Sequence, residues 1–228
     1  STVIITMNNI IKNSSQEQFV KVNCETIKEK ANKHIKEKGR FTFVLSGGLT
    51  PKIIFDELAS NYKDSIEWSK VYFFWLDEKC VEPNHKDSNY KLAYDHLISR
   101  LKTLGKAERI KGEIDQSLAA KEYKERLLNF FGFNKVKFDF ALLGMGIDGH
   151  VASLFPNSAE IKKVKDLVLA TKKTYNGYRR ITLGLNLINM ITFKMLLVRG
   201  KEKLRILNFE NENLPINKIN NKQVVYLE

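Results

Sequence analysis

A chain of 228 residues with 43% hydrophobic side chains is long enough for one α/β domain with a sizeable core. Its two cysteines, Cys24 and Cys80, form no C-x-x-C; this excludes a disulfide framework and a zinc ribbon and fits a reduced, cytoplasmic setting. The formal charge of +12 comes from 38 Lys plus Arg against 26 Asp plus Glu, but only eight are Arg and the lysines are spread along the chain, so nucleic-acid readout, which favours clustered Arg, is not expected.

At the N-terminus, STVIITMNNIIKNSS has neither the basic start nor the long apolar stretch of a secretory signal, and no later run approaches the length of a membrane span. The first residue is Ser1, which fits a trimmed chain or one part of a longer, bifunctional protein. Ser14 with Glu17 reads as a capping box ahead of a helix. Val20, Cys24, Ile27, Ala31 and Ile35 keep helical spacing along it. FTFVL, 41–45, reads as a buried strand. PKIIFDELAS reads as a helix with Pro51 in its first position and Thr50 as its cap. VYFFWL, 71–76, is a second strand. The pattern predicts a helix over 88–104 closed by Gly105, and another running from Asp115 to Gly132. FDFALL, RRITLGL, FKMLLV and QVVYL supply further strands. Apolar strands alternating with helices predict a mostly parallel sheet with helices on both faces, a Rossmann-like α/β fold in a single domain over 1–228. Ligands of such sheets bind beyond the carboxyl ends of the strands.

Four such ends carry candidate chemistry. GMGIDGH, 144–150, follows FDFALL. Its Gly144, Gly146 and Gly149 fit G-x-G-x-x-G, but a dinucleotide site needs a long helix next and an acid about 20 residues on. HVASLF runs under two turns before Pro156, and lysines rather than an acid follow DLVLA, so that context fails. Read as chemistry, Gly144 and Gly146 let the backbone approach a ligand. His150 is a candidate general base, with Asp148 placed to orient its imidazole or stabilise the protonated form. In FVLSGGLTP, Ser46, Gly47, Gly48 and Thr50 lie between strand and helix, where free N–H groups and the helix dipole suit a phosphate; the missing G-K-[ST] ending excludes a Walker A loop. WLDEKC puts Asp77, Glu78 and Lys79 at a strand end, Arg180 opens a strand within reach of a phosphate, and GKEK offers Lys201 and Lys203.

SGGLTP, LDEKCV with Ser88-Asn89 downstream, GMGIDGHVASLFP, RITLGLNLIN and GKEK, in this order, resemble the 6-phosphogluconolactonases. The resemblance covers nearly the whole chain, from the first helix to Leu214-Pro215 and VVYLE. It implies hydrolysis of 6-phospho-D-glucono-1,5-lactone to 6-phosphogluconate in the oxidative pentose phosphate pathway, with no metal and no organic cofactor. It implies His150 as the base with Asp148 beside it. Around the substrate it implies Ser46, Gly47, Gly48, Thr50, Asp77, Lys79, Gly144, Met145, Gly146, Arg180 and Lys203. It also implies a small phosphosugar lactone as ligand, no nucleic-acid or membrane partner, and glucose-6-phosphate dehydrogenase as a covalent or functional partner. One departure stands out: the family usually has Asp-Glu-Arg where this chain has Asp77-Glu78-Lys79, so positive charge is kept and the bidentate fork is lost. The related glucosamine-6-phosphate isomerase/deaminases carry TG in place of SGG and continue D-G-H toward Asn-Glu-Pro. Here Ala152-Ser153-Leu154-Phe155-Pro156 holds no acid, which favours the lactonase. The second alternative is a non-catalytic sugar-phosphate sensor. It would need a DNA-binding segment, and only one helix fits before residue 41.

Overall fold

A computed structural model describes residues 9–133, 135–208 and 211–228; most of the N-terminal stretch read above as lacking a signal sequence lies at 1–8, outside the described residues. The chain opens with β1 (Ile10–Asn13), a strand its sequence did not announce, and α1 (Gln16–Lys38). Ser15 rather than Ser14 caps α1: its hydroxyl accepts the Gln18 N–H at 3.2 Å, while Ser14 turns to the Gln18 side chain. Two adjacent serines meet the same spacing rule, and only the extended backbone at Ser15 selects between them. Phe19, Cys24, Ile27 and Ala31 form the buried stripe of α1.

Next come β2 (Phe41–Leu45), α2 (Leu49–Asn61), β3 (Val71–Trp75), β4 (Asp77–Lys79), α3 (Asn89–His96), β5 (Lys106–Glu108), α4 (Gln116–Phe131) and β6 (Phe140–Leu143). The remainder is α5 (Ala159–Lys162), β7 (Val168–Ala170), β8 (Arg180–Leu183), α6 (Leu185–Asn189), β9 (Phe193–Arg199), α7 (Lys201–Asn208) and β10 (Lys222–Leu227). The helix expected over 88–104 stops at His96 and passes through a 3₁₀ turn, Ile98–Arg100. Gly105 then presses against β3, its N–H donating to Val71 O at 2.9 Å, and leads into β5 instead of merely ending a helix. Pairing with β3 overrides the local helical pattern there.

Among the described residues the main sheet has seven strands in the order β1-β10-β9-β6-β2-β3-β5, every pair parallel. From β2 the chain runs outward through β3 and β5. It then returns to β6 on the other side of β2 and continues through β9 to β10. The direction therefore reverses between β2 and β6, the switch point at which such sheets bind ligands. Below that point Thr42 and Asp139 lock the two strands reciprocally. Thr42 N–H donates to Asp139 Oδ2 and Asp139 N–H to Thr42 Oγ1, both at 2.8 Å. Phe41, Phe43, Phe73 and Phe140 form the aromatic centre of the core, with Phe43 and Phe140 edge-on at 5.4 Å.

RITL was expected in the parallel sheet. It forms instead the middle strand of a second, antiparallel sheet, β4-β8-β7, which packs against α4. Leu76 joins the two sheets: its N–H donates to Leu45 O at 3.0 Å and its C=O accepts from Leu183 N–H at 2.8 Å. β7 and β8 are linked by a turn at Asn176 and Gly177, with φ of 49° and 85°, the conformation an Asn-Gly hairpin favours.

At the far end of the sheet two lysines face each other across β9 and β10, Lys194 and Lys222. Lys194 donates to Asn189 O and Ile191 O, and Lys222 to Ile219 O at 2.7 Å. Burial, and then the Lys194 charge, push the Lys222 ammonium down from the ordinary 10.5 to about 8. The unfolded chain keeps the higher value, so the cost of burying the charge is present in full below pH 8. It is relieved as the folded protein loses this proton between pH 8 and 10.5. Lys222→Met is expected to raise stability by about 1 kcal/mol at pH 7, after allowing for the lost hydrogen bond, with the gain shrinking toward pH 10.5. Urea denaturation across that pH range measures it.

Candidate active site

The loops after β2 and β6 leave the sheet side by side at the switch point. After β2, Ser46 Oγ donates to Leu142 O at 2.5 Å and so ties the two strand ends together. Gly48, with φ of 103°, is the N-cap of α2, with no side-chain cap. Thr50, expected as the cap, lies inside the first turn, and the helix starts two residues before Pro51. No acidic residue stands in that turn, so the N–H groups and the dipole of α2 face the site unopposed. A Cβ on Gly47 would lie 2.0 Å from Asn89 Oδ1; glycine is needed because the Asn89 amide packs directly beneath the loop.

After β6, Gly144 leaves open space where a side chain would project. The chain then folds back on itself. A Cβ on Gly146 would stand 2.1 Å from His150 Nδ1, and Gly149 takes a φ of 84° that favours glycine. Gly146 N–H donates to His150 O, and Gly149 N–H to Gly146 O, both at 3.0 Å. Inside this turn Asp148 Oδ1 accepts the His150 N–H at 3.0 Å and meets the imidazole Nδ1 at 2.6 Å. Burial alone would raise the Asp148 carboxyl. The His150 backbone N–H, the nearby imidazole charge and its hydrogen bond outweigh that and hold the group below the ordinary carboxylate value. An ionised Asp148 makes Nδ1 the donor, which leaves the lone pair on Nε2. No long helix follows the loop; residues 151–154 form an isolated bridge. The dinucleotide context fails in the structure as it does in the sequence.

The two loops enclose a cavity of about 240 Å³. Ser46, Gly47, Gly48, Thr50, Asp77, Lys79, Gly144, Met145, His150, Arg180 and Lys203 line it, so nearly every residue singled out above converges there. Gly146 and Asp148 do not; they stand behind His150. Lys201 points away and pairs with Glu228 at 3.2 Å. The second sheet decides the far wall. Lys79 on β4 lies directly opposite Arg180 on β8. Like charges across an antiparallel pair repel, yet both face the cavity and neither has a carboxylate partner among the described residues. The Arg180 guanidinium gives Nη2 to Tyr175 O at 3.1 Å, while its buried Nε has no acceptor among the described residues.

Asn89 had no site role in the sequence, although Ser88-Asn89 belongs to the family resemblance. Its Nδ2 donates to Asp77 O and Oδ1, at 3.0 and 3.2 Å, and its Oδ1 accepts from Lys79 Nζ at 3.3 Å. Ser153 Oγ donates to Asp77 Oδ2 at 2.6 Å. Glu78, just behind, accepts from Ser88 Oγ and from the N–H groups of Lys79, Asn89 and Tyr90, which anchors the start of α3. Burial pushes its carboxyl above the ordinary range against those donors. Among the described residues no group of three His, Cys, Asp or Glu side chains converges to hold a metal ion. None of the described helices is long and apolar enough to cross a membrane.

A parallel α/β sheet whose switch point brings a histidine paired with an aspartate to one cavity with a helix N-terminus and three cations has the architecture of an enzyme for small phosphorylated substrates. The family of glucosamine-6-phosphate isomerases/6-phosphogluconolactonases matches residues 14–226, and the chain belongs to it. A relative from Arabidopsis thaliana, "Probable 6-phosphogluconolactonase 2", is 40% identical over 190 residues, covering 76% of this chain and 73% of the relative. The 6-phosphogluconolactonase of Haemophilus influenzae is 37% identical over 180 residues, 75% of each chain. The crystal structure of 6-phosphogluconolactonase from Thermotoga maritima superposes with a TM-score of 0.83 at 28% identity, covering 96% of this chain and 99% of that one.

Gly47→Ala is expected to displace Asn89, and with it Lys79, while leaving the fold intact. Affinity for inorganic phosphate, read by calorimetry, should drop roughly tenfold, the scale of one charge-assisted contact. Unchanged affinity would detach Asn89 from the anion site.

Proposed function

We propose that this chain hydrolyses 6-phospho-D-glucono-1,5-lactone to 6-phosphogluconate. The observation that carries the reading is the opposition, across one cavity, of a histidine held by Nδ1 on Asp148 and a cross-strand pair of cations that have no carboxylate partner among the described residues. The phosphate sits against the N-terminus of α2, Lys79, Arg180 and Lys203, and its charge relieves the repulsion between Lys79 and Arg180. Anchoring the phosphate holds the lactone ring against His150, so water and carbonyl meet as parts of one assembly.

His150 Nε2 takes a proton from water, and the hydroxide oxygen bonds to the lactone carbonyl carbon. Negative charge develops on the carbonyl oxygen, where N–H groups of the glycine loops or a cavity cation stabilise it. The bond to the ring oxygen then breaks, and the imidazolium returns the proton to that oxygen. Ionised Asp148 holds the imidazole by Nδ1 and stabilises its charged form throughout. The aromatic ring of Phe155, rather than a second acid, lies beside His150, which favours lactone hydrolysis over the isomerase/deaminase chemistry of the same family. Residues 1–228 act as a single domain in this proposal. Glucose-6-phosphate dehydrogenase is the partner that supplies the lactone, and the cytoplasm is the compartment.

Hydrolysis of freshly made lactone, with the spontaneous rate subtracted, tests the proposal. His150→Ala should lose roughly 10²–10⁴-fold in kcat with KM close to wild type. Arg180→Ala should mainly raise KM, by about tenfold or more. No acceleration by folded wild type, or ammonia release from glucosamine 6-phosphate, would refute the assignment.

A further inference from the structure

Phe155 follows the His150 turn and is 3% exposed. Its ring stacks on the His150 imidazole, with centroids 4.5 Å apart and planes at 29°. Tyr175, on the β7–β8 hairpin, stacks on Phe155 at 3.8 Å and 2°. The same hairpin residue accepts Arg180 Nη2 on its main-chain carbonyl, and the Arg180 guanidinium carbon lies 5.5 Å from the centre of the Phe155 ring. The histidine of the first sheet's loop and the buried arginine of the second sheet thus lean on one ring.

The hydrogen bond to Asp148 leaves one freedom open. It fixes the position of Nδ1, but the ring plane can still rock through the side-chain torsions within the angular tolerance of that bond, and rocking displaces Nε2. A flat aromatic face is short-ranged and depends on orientation, so it opposes that rocking. We infer that Phe155, backed by Tyr175, is a positioning residue that fixes the plane of the His150 imidazole and ties it to Arg180, so that the base and the anion-binding cation form one frame. The kinetic side of this inference rests on the lactonase reading; its spectroscopic side does not.

The test compares wild type with Phe155→Leu, Tyr175→Leu and Tyr175→Phe. The His150 ring protons, assigned by their loss in His150→Gln, are followed by NMR, because protons over an aromatic face resonate upfield. In Phe155→Leu they should move downfield and kcat should fall roughly tenfold. Tyr175→Leu, which keeps the main-chain carbonyl that Arg180 uses, should move them less in the same direction and leave KM close to wild type. Tyr175→Phe, which keeps the stack, should restore wild-type values. Phe155→Leu with unchanged His150 resonances and unchanged kcat per folded molecule, even at a lower Tm, overturns the inference and leaves Phe155 as packing. If Phe155→Leu does not fold, the half-exposed Tyr175→Leu decides, and unmoved His150 signals overturn the inference there too. A wild type that folds but does not hydrolyse the lactone removes the lactonase reading; the NMR shifts then judge the positioning role alone.

Discussion

The pairing of β2 with β6 is the constraint on which the site depends. Phe43 lies beside Phe140 and Val44 beside Ala141, in strands buried on both faces. The register is held from below by Thr42 and Asp139 and from above by Ser46 and the carbonyl of Leu142. These two strands are neighbours in space but nearly a hundred residues apart in sequence, with the β3–β5 half of the sheet lying between them along the chain. Because the chain reverses its direction of travel here, no connecting loop covers the gap at their carboxyl ends. The glycine loop of β2 and the His150 loop of β6 both open into that gap. A slip of one residue in this pair would turn core side chains to the wrong face and would also move Ser46 off Leu142.

A second constraint comes from charge. Placing Lys79 opposite Arg180 costs energy, and the surrounding polar frame holds the arrangement. Asn89 links Lys79 to Asp77, Ser153 secures the other oxygen of Asp77, and Glu78 pins the start of α3 from which Asn89 projects. Gly47 yields the space that Asn89 occupies, so the backbone of that loop and the Lys79 ammonium beside it are set by one amide. The frame is buried and its members satisfy one another, which is how a small domain keeps several cations facing a cavity without collapsing them onto carboxylates. Lysine at position 79 is compatible with this: a single ammonium aimed by one carbonyl oxygen needs no planar fork.

Local chemistry was legible from the residues. Apolar runs such as FTFVL and FDFALL had to be strands, because no amphipathic face exists on which they could lie as surface helices. The glycines of both loops were legible as special backbone, but Gly146, expected to admit a ligand, instead makes room for the His150 imidazole, while Gly144 does open onto the cavity. His150 and Asp148 are two residues apart, so the turn that joins them is written in seven consecutive letters. Helix ends were less legible: Ser14 against Ser15, Thr50 against Gly48 and the early stop at His96 are choices among residues of similar propensity. Backbone geometry and packing made those choices.

What the sequence by itself determined is therefore the parallel α/β core, the glycine loops at two strand ends and the Asp148–His150 pair within one of them, all products of short-range sterics and hydrophobic periodicity. Only the tertiary structure decided that β8 leaves the parallel sheet for an antiparallel one, which sets Arg180 against Lys79. It also decided that Asn89 underlies Gly47, and that Phe155 lies between His150 and the Tyr175 hairpin. Each of these is a meeting of residues far apart in the chain. Such a meeting depends on strand order and on the joint at Leu76, which no local pattern encodes.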